Sequence, residues 1–313
     1  MIDFRYHLIS IVAVLLALSI GIVMGSGVLG GPLLDDIQRR AARIREENGN
    51  LLQELTERSD HIEQLEEFIT DSEPYLVDGS LVGEDVVLFE LPDVTNAVVE
   101  ELRSSVGLAD GALVTHIEFT DKVEMTDDIE RDELALALAS VSASREDLRI
   151  EMASSLGARA ATAAESRDPG GPASNAASSR LNSLVSGLEE ADFLSVDRTE
   201  DVPTVPEDAL FIVVGGSEDP GFEMNEMATE LAVELVQGGT VLVGETSGSA
   251  AELIASIIDD GTAEESIATS DGIDTSIGRV AAVLGLDLAA EGEIGHYGLG
   301  PTAEEMIPQQ TED

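Results

Sequence analysis

Residues 85–91 read DVVLFEL, a short apolar run closed by Pro92 and followed by a helical stretch from Thr95 to Val106. A run this brief, rich in Val, Leu and Phe, has the signature of a strand buried on both faces. The same pattern recurs along the chain. Residues 112–120 read as a second strand, and 127–164 are helical in pattern and rich in alanine. The segment RDPGGPASNAAS, 167–178, is a loop by composition, and 180–190 a helix. Then come LFIVV at 210–214, a helix over 223–237, TVLV at 240–243 and a helix over 250–258. A short strand near Ile267 and a helix over 276–286 extend the series. Strands alternating with helices imply an α/β fold, a mostly parallel sheet flanked by helices on both faces. The long alternating strands of a β-barrel pore are absent from the sequence.

Ahead of this body, LISIVAVLLALSIGIVMGSGVL, residues 8–29, carries no charge. At ~1.5 Å per residue it spans a ~30 Å hydrocarbon layer. The competing reading is a cleaved signal peptide, but the run is long for one and no A-x-A site follows. The expectation is a retained transmembrane helix. Arg5 precedes it, while Arg39, Arg40, Arg43 and Arg45 follow, so a literal charge count favours a cytoplasmic body. That rule weakens for long following domains, and the expectation is a membrane-anchored protein of the cell envelope with its body outside the cytoplasm. Gly21 and Gly25 form a GxxxG pair that lets membrane helices approach closely.

Gly30, Gly31 and Pro32 predict a kink or a fresh helix start. Beyond them apolar residues recur in alternating steps of three and four: Leu34, Ile37, Ala41, Ile44, Asn48, Leu51, Leu55, Arg58, Ile62, Leu65 and Ile69. That is a coiled-coil seam, ended by Glu73-Pro74. Asn48 falls on an a position, where a polar residue costs stability but selects register and favours two strands. The plainer reading is a local defect with Asn48 facing solvent. In a parallel homodimer Arg40 would face Arg45 of the other copy, which is repulsive, whereas His61 and Glu66 are compatible. The seam therefore serves either a homodimer or another helical partner. The expected organisation is a short N-terminus and transmembrane helix (1–32), a coiled coil (33–73), an α/β domain (74–304) and a polar C-terminal tail (305–313).

Composition narrows the function. The 313 residues carry a net charge of -47, with a single lysine, Lys122, and no cysteine or tryptophan. Such a surface repels itself at low salt and reads as adaptation to a saline medium. Nucleic acid is excluded as a partner because no basic patch exists. Disulfides, thiolate metal sites and cysteine nucleophiles are excluded as well. VGGS at 214–217 and GETSGS at 244–249 could cradle a phosphate, but lack both GxGxxG spacing and a P-loop lysine. Tight turns account for them. His7, His61, His116 and His296 show no metal spacing. Asp127-Asp128 and Asp259-Asp260 are pairs expected by chance in so acidic a chain. Met224 and Met227 form MNEM, a soft-metal candidate whose alternative is core packing. No catalytic set emerges, and the expectation is a protein that is not an enzyme.

Two stretches carry a resemblance. The apolar span ending in GIVMGSG with its following coil, and the C-terminal DGIDTSIGRVAAVLGLDL (271–288) with GHYGLG (295–300), resemble the mycobacterial copper transport protein B (MctB) family of actinobacterial envelope proteins. The matched positions are Asp274, Gly278, Arg279, Gly295, Tyr297, Gly298 and Gly300. The resemblance implies that the glycines shape a turn and that Arg279 pairs with a carboxylate. It also implies a role in copper transport, efflux and tolerance at the cell envelope, with copper as the one metal to consider. A single span cannot line a pore unless several chains assemble. The alternative is a non-catalytic coiled-coil scaffold that recruits cell-wall or division partners.

Overall fold

The computed structural model describes residues 4–142, 144–165, 171–216, 224–249 and 252–309, with the side chains of 26–36 set aside. The chain falls into two compact units, residues 1–65 and 66–313.

The first unit belongs to one helix, α1, Phe4–Leu76. It runs on through Pro32 with no fresh start, because the missing proline N–H removes only one rung of the helical ladder. Pro74 likewise lies inside the last turn and does not end the helix at residue 73. Phe4–Gly25 is long and apolar enough to cross a membrane, with mean hydropathy 2.7 and none of it buried. Open space surrounds Gly21 and Gly25. Ile37, Ile44, Leu51, Leu55, Ile62 and Leu65 lie along one stripe, from 48 % exposed at Leu65 to 63 % at Leu55. Asn48 is exposed in the same stripe, and the side chain of Leu34 falls outside those described.

The second unit is built on a seven-stranded sheet. Its strands are β1 Asp85–Glu90, β2 Ala112–Phe119, β3 Leu194–Arg198, β4 Leu210–Gly215, β5 Val241–Glu245, β6 Ala268–Asp271 and β7 His296–Tyr297. The order is β3-β2-β1-β4-β5-β6-β7, and only β3 runs antiparallel, along β2. The helices are α2 Asn96–Leu108, α3 Asp128–Leu138, α4 Arg145–Ala164, α5 Pro172–Glu190, α6 Met224–Leu235, α7 Leu253–Asp259, α8 Gly261–Glu264 and α9 Ser276–Glu291.

Central strands supply two cores by simple alternation. Val87 and Phe89 of β1, with Phe211 and Val213 of β4, join a core shared with α4, α5 and α6. Val86 and Leu88, with Leu210, Ile212 and Val214, join a second core with α2 and α9. Both faces are therefore apolar, which is why these strands read as unbroken hydrophobic runs.

Three expectations change. The helical pattern over 127–164 divides into α3 and α4, because Ala139 turns left-handed (φ 54°) and Ser144 caps α4 by accepting the Asp147 N–H. The loop expected over 167–178 holds the start of α5, where Pro172 occupies the first turn, a position that needs no N–H. The helix from Ser276 runs on to Glu291 and stops at Gly292, whose φ of 96° suits glycine. Strands β3 and β7 were not expected at all.

Candidate functional site

In sheets of this order the strand exits at the carboxyl edge are the usual place for ligands. Between β1 and β4, where the order reverses, the two exits touch. A Cβ on Gly216 would lie 2.5 Å from the Asp93 carbonyl carbon. Among the described residues, an open cleft lies two strand gaps further along, at the ends of β5 and β6. There Glu245 and Asp271 stand in register on neighbouring parallel strands. They border a cleft of about 300 Å³ lined also by Thr246, Ser249, Ile254 and Thr302.

Each carboxylate is held by backbone. Glu245, 7 % exposed, accepts the N–H groups of Leu253 (3.0 Å) and Ile254 (3.3 Å) at the start of α7. Those are the donors a phosphate would have used, so the GETSGS segment carries its own anion instead of receiving one. Burial, and then the charges of Glu245 and Asp274, push the Asp271 carboxyl above its ordinary range, while the N–H groups of Gly272 and Gly300 pull it back. Asp274 accepts the Ser247 N–H at 2.6 Å and so joins the loop after β6 to the loop after β5. The cleft therefore offers hydroxyls and acidic oxygens. It can accept hydrogen bonds, and its negative charge opposes anions.

Four of the matched C-terminal residues, Asp274, Gly278, Gly298 and Gly300, converge on this same strand exit. A Cβ on Gly278 would lie 2.1 Å from the Gly272 carbonyl oxygen, and one on Gly300 would lie 1.6 Å from Asp271 Oδ2. Gly298, at φ 122°, packs against the Asp271 backbone and donates to the carbonyls of Glu305 and Met306. Thr275 caps α9, accepting the Gly278 N–H at 3.1 Å and donating to the Gly272 carbonyl at 2.7 Å. Tyr297 is 8 % exposed, with its hydroxyl against Gly295 and its ring edge against Gly285. Burial raises its phenol above the usual range, reinforced by Glu305 and Glu293.

Arg279 has its carboxylate partners. It is 6 % exposed, donates from Nη1 to Glu101 at 2.6 Å, and holds Nε 3.9 Å from Glu73. Glu73 in turn accepts a short hydrogen bond from Ser105. Glu73, Glu101, Glu245 and Asp271 escaped sequence reasoning. Glu101 stands 178 residues from Arg279, and in a chain with 63 acidic residues no single carboxylate announces itself.

The methionine pair lies elsewhere. Met224 and Met227 are 2 % and 1 % exposed and pack with Leu231 and Leu253 in the first core. His116 faces Glu90 at 2.6 Å and His296 faces Thr269 at 3.0 Å, while His7 and His61 are exposed on α1. Among the described residues no group of three or more His, Cys, Asp or Glu is arranged to hold a metal ion.

The chain is similar to proteins named Copper transporter MctB from Mycobacterium bovis and Mycobacterium tuberculosis. Each is 27 % identical over 325 residues, covering 99 % of this chain and all of the relative. The protein of that name from Mycobacterium leprae is 26 % identical over the same length. The family model described as copper transport outer membrane protein, MctB, matches residues 1–308, and the chain belongs to that family.

Proposed function

We propose that this chain is a membrane-anchored cell-envelope protein serving copper transport and tolerance, and that it acts as a paired, non-catalytic scaffold. The copper role rests on the family and on the printed names of the relatives. Anchoring rests on the apolar Phe4–Gly25 segment, and the proposed outer placement of the α/β unit rests on the weakening of the charge rule for long following domains.

The observation that carries the scaffold reading is the exposed stripe from Ile37 to Leu65. Leucines and isoleucines repeated at heptad spacing and left in water favour a second helix across them. The described sheet is open, with β3 and β7 as its edges, so copper passage through this protein would require several copies around one path.

A second reading keeps the seam for a different helix. Arg40 and Arg45 at the flanking positions favour it, because a parallel copy would set them against each other.

The chain contains no cysteine, which makes cross-linking clean. In native membranes, full-length Leu51→Cys should form a disulfide-linked dimer under mild oxidation, while Gln53→Cys, on the outer face, should not. Equal cross-linking at both positions removes the paired seam. A link to another protein through added bifunctional reagent, with no self-link at Leu51→Cys, selects the second reading. Titration of the full chain in detergent with Cu(I) and Cu(II) tests direct metal handling, which micromolar or weaker binding would remove.

A further inference from the structure

Arg279, on α9, reaches α2, the loop after β6 and the end of α1. Its Nη1 donates to Glu101 on α2 and, at 3.2 Å, to the carbonyl of Asp274 in the loop after β6. Nη2 donates to Ser276 Oγ at 3.2 Å at the start of α9. Nε faces Glu73 on the last turns of α1, at 3.9 Å, and finds no hydrogen-bond partner. Thr70, one turn earlier on α1, meets Ser276 at 2.6 Å, hydroxyl to hydroxyl. The far side of the same loop reaches the cleft, since Asp274 accepts the Ser247 N–H and Asp271 lines the wall.

A guanidinium and a carboxylate removed from water gain little net stability over apolar side chains of the same size. Their value is geometric: the Nη1 and Nη2 hydrogen bonds to Glu101, Asp274 and Ser276 form together in one arrangement only. The loop that follows Asp271 and carries Asp274 is thereby held in place from the α1 end, and the α1 end is held in place from the loop.

The geometry points to Arg279 as a positioning residue that couples the docking of the α1 end, through Thr70 and Glu73, to the shape of the Glu245–Asp271 cleft. A change that loosens the α1 end loosens the cleft loop, and by linkage the reverse holds. The coupling is independent of copper.

Hydrogen exchange read by mass spectrometry on the full-length protein in detergent tests it. Glu73→Gln removes the charge facing Arg279, and Thr70→Val removes the Ser276 contact without altering any charge. In both variants the amides of Ser247 and Gly278 should exchange faster, about tenfold in Glu73→Gln. The amides of Ile212 and Val213 in β4 should keep their rates. Reciprocally, Asp274→Ala should speed exchange at the Val77 amide, which is bonded to the Glu73 carbonyl at 3.1 Å. Acceleration confined to residues 70–77 overturns the coupling, and so does uniform acceleration that includes β4. An unaltered Val77 amide in Asp274→Ala overturns it too. If Glu73→Gln does not fold, Thr70→Val and Asp274→Ala decide.

Discussion

Gly278 packs face-on to the carbonyl of Gly272, with room for no side-chain atom: a Cβ there would stand 2.1 Å from the oxygen. The first turn of α9 can therefore close on the β6 exit only through glycine. Gly278→Ala must push the helix or the loop away. The expected cost is about 1–3 kcal/mol, the usual range for overpacking. Urea unfolding of the full chain at fixed salt measures it. An unchanged midpoint would mean that the close approach is not part of the folded protein.

Asp271 should make stability fall as pH rises. Its native pKa lies above the ordinary 3.8, so between that value and the native one the folded state binds more protons than the unfolded state. The slope of unfolding free energy against pH is then negative for this group. Stability from Asp271 is full below the unfolded pKa and is lost as pH climbs through the native one. Asp271→Asn should flatten that slope, compared with the parent in the same buffer series. A slope identical to the parent's would remove the raised carboxyl.

Asn48→Leu should raise the melting temperature of a paired seam while loosening its register or choice of partner. Circular dichroism of the full chain in detergent gives the first. Cross-linking from Leu51→Cys in the same background gives the second, through links that spread to neighbouring positions. If melting, register and partner all stay as they were, Asn48 faces solvent and does not select a register.

Met224→Leu with Met227→Leu separates packing from metal binding. Both residues sit in the first core, and methionine-to-leucine exchange roughly conserves volume. The double variant should lose less than about 1.5 kcal/mol. Its Cu(I) titration should match the parent's. Loss of a copper-binding step in the variant alone would make the pair ligands.

Legibility followed burial. Strands β1, β4 and β5 were readable because both faces bury apolar residues, so the central positions (Val86 to Phe89, Leu210 to Val214, Val241 to Val243) are all hydrophobic. Strand β3, LSVDR, was not, since at the sheet edge only Leu194 is buried and the rest resembles a loop. Strand β7 has two residues and exists only through its pairing with β6. In α5 local composition misled. Gly, Pro and Ser signal a loop, yet proline fits a helix start and the later apolar positions Ala177, Leu181 and Leu184 bind the segment to the core. A carboxylate partner for Arg279 came only from the family resemblance, and neither Glu73 nor Glu101 could be picked out from the sequence.

By itself the sequence determined what depends on neighbours along the chain: a membrane-length apolar segment, a heptad stripe, alternating strands and helices, and a cysteine-free acidic composition. These follow from helical and strand periods and from counting, which need no third dimension. Only the tertiary structure decided the strand order, the burial of Met224 and Met227, and the meeting of Glu245 with Asp271 and of Arg279 with Glu73 and Glu101. Those contacts join distant segments, and their energy depends on separation in space and on exclusion of water. Neither quantity is written in the order of residues.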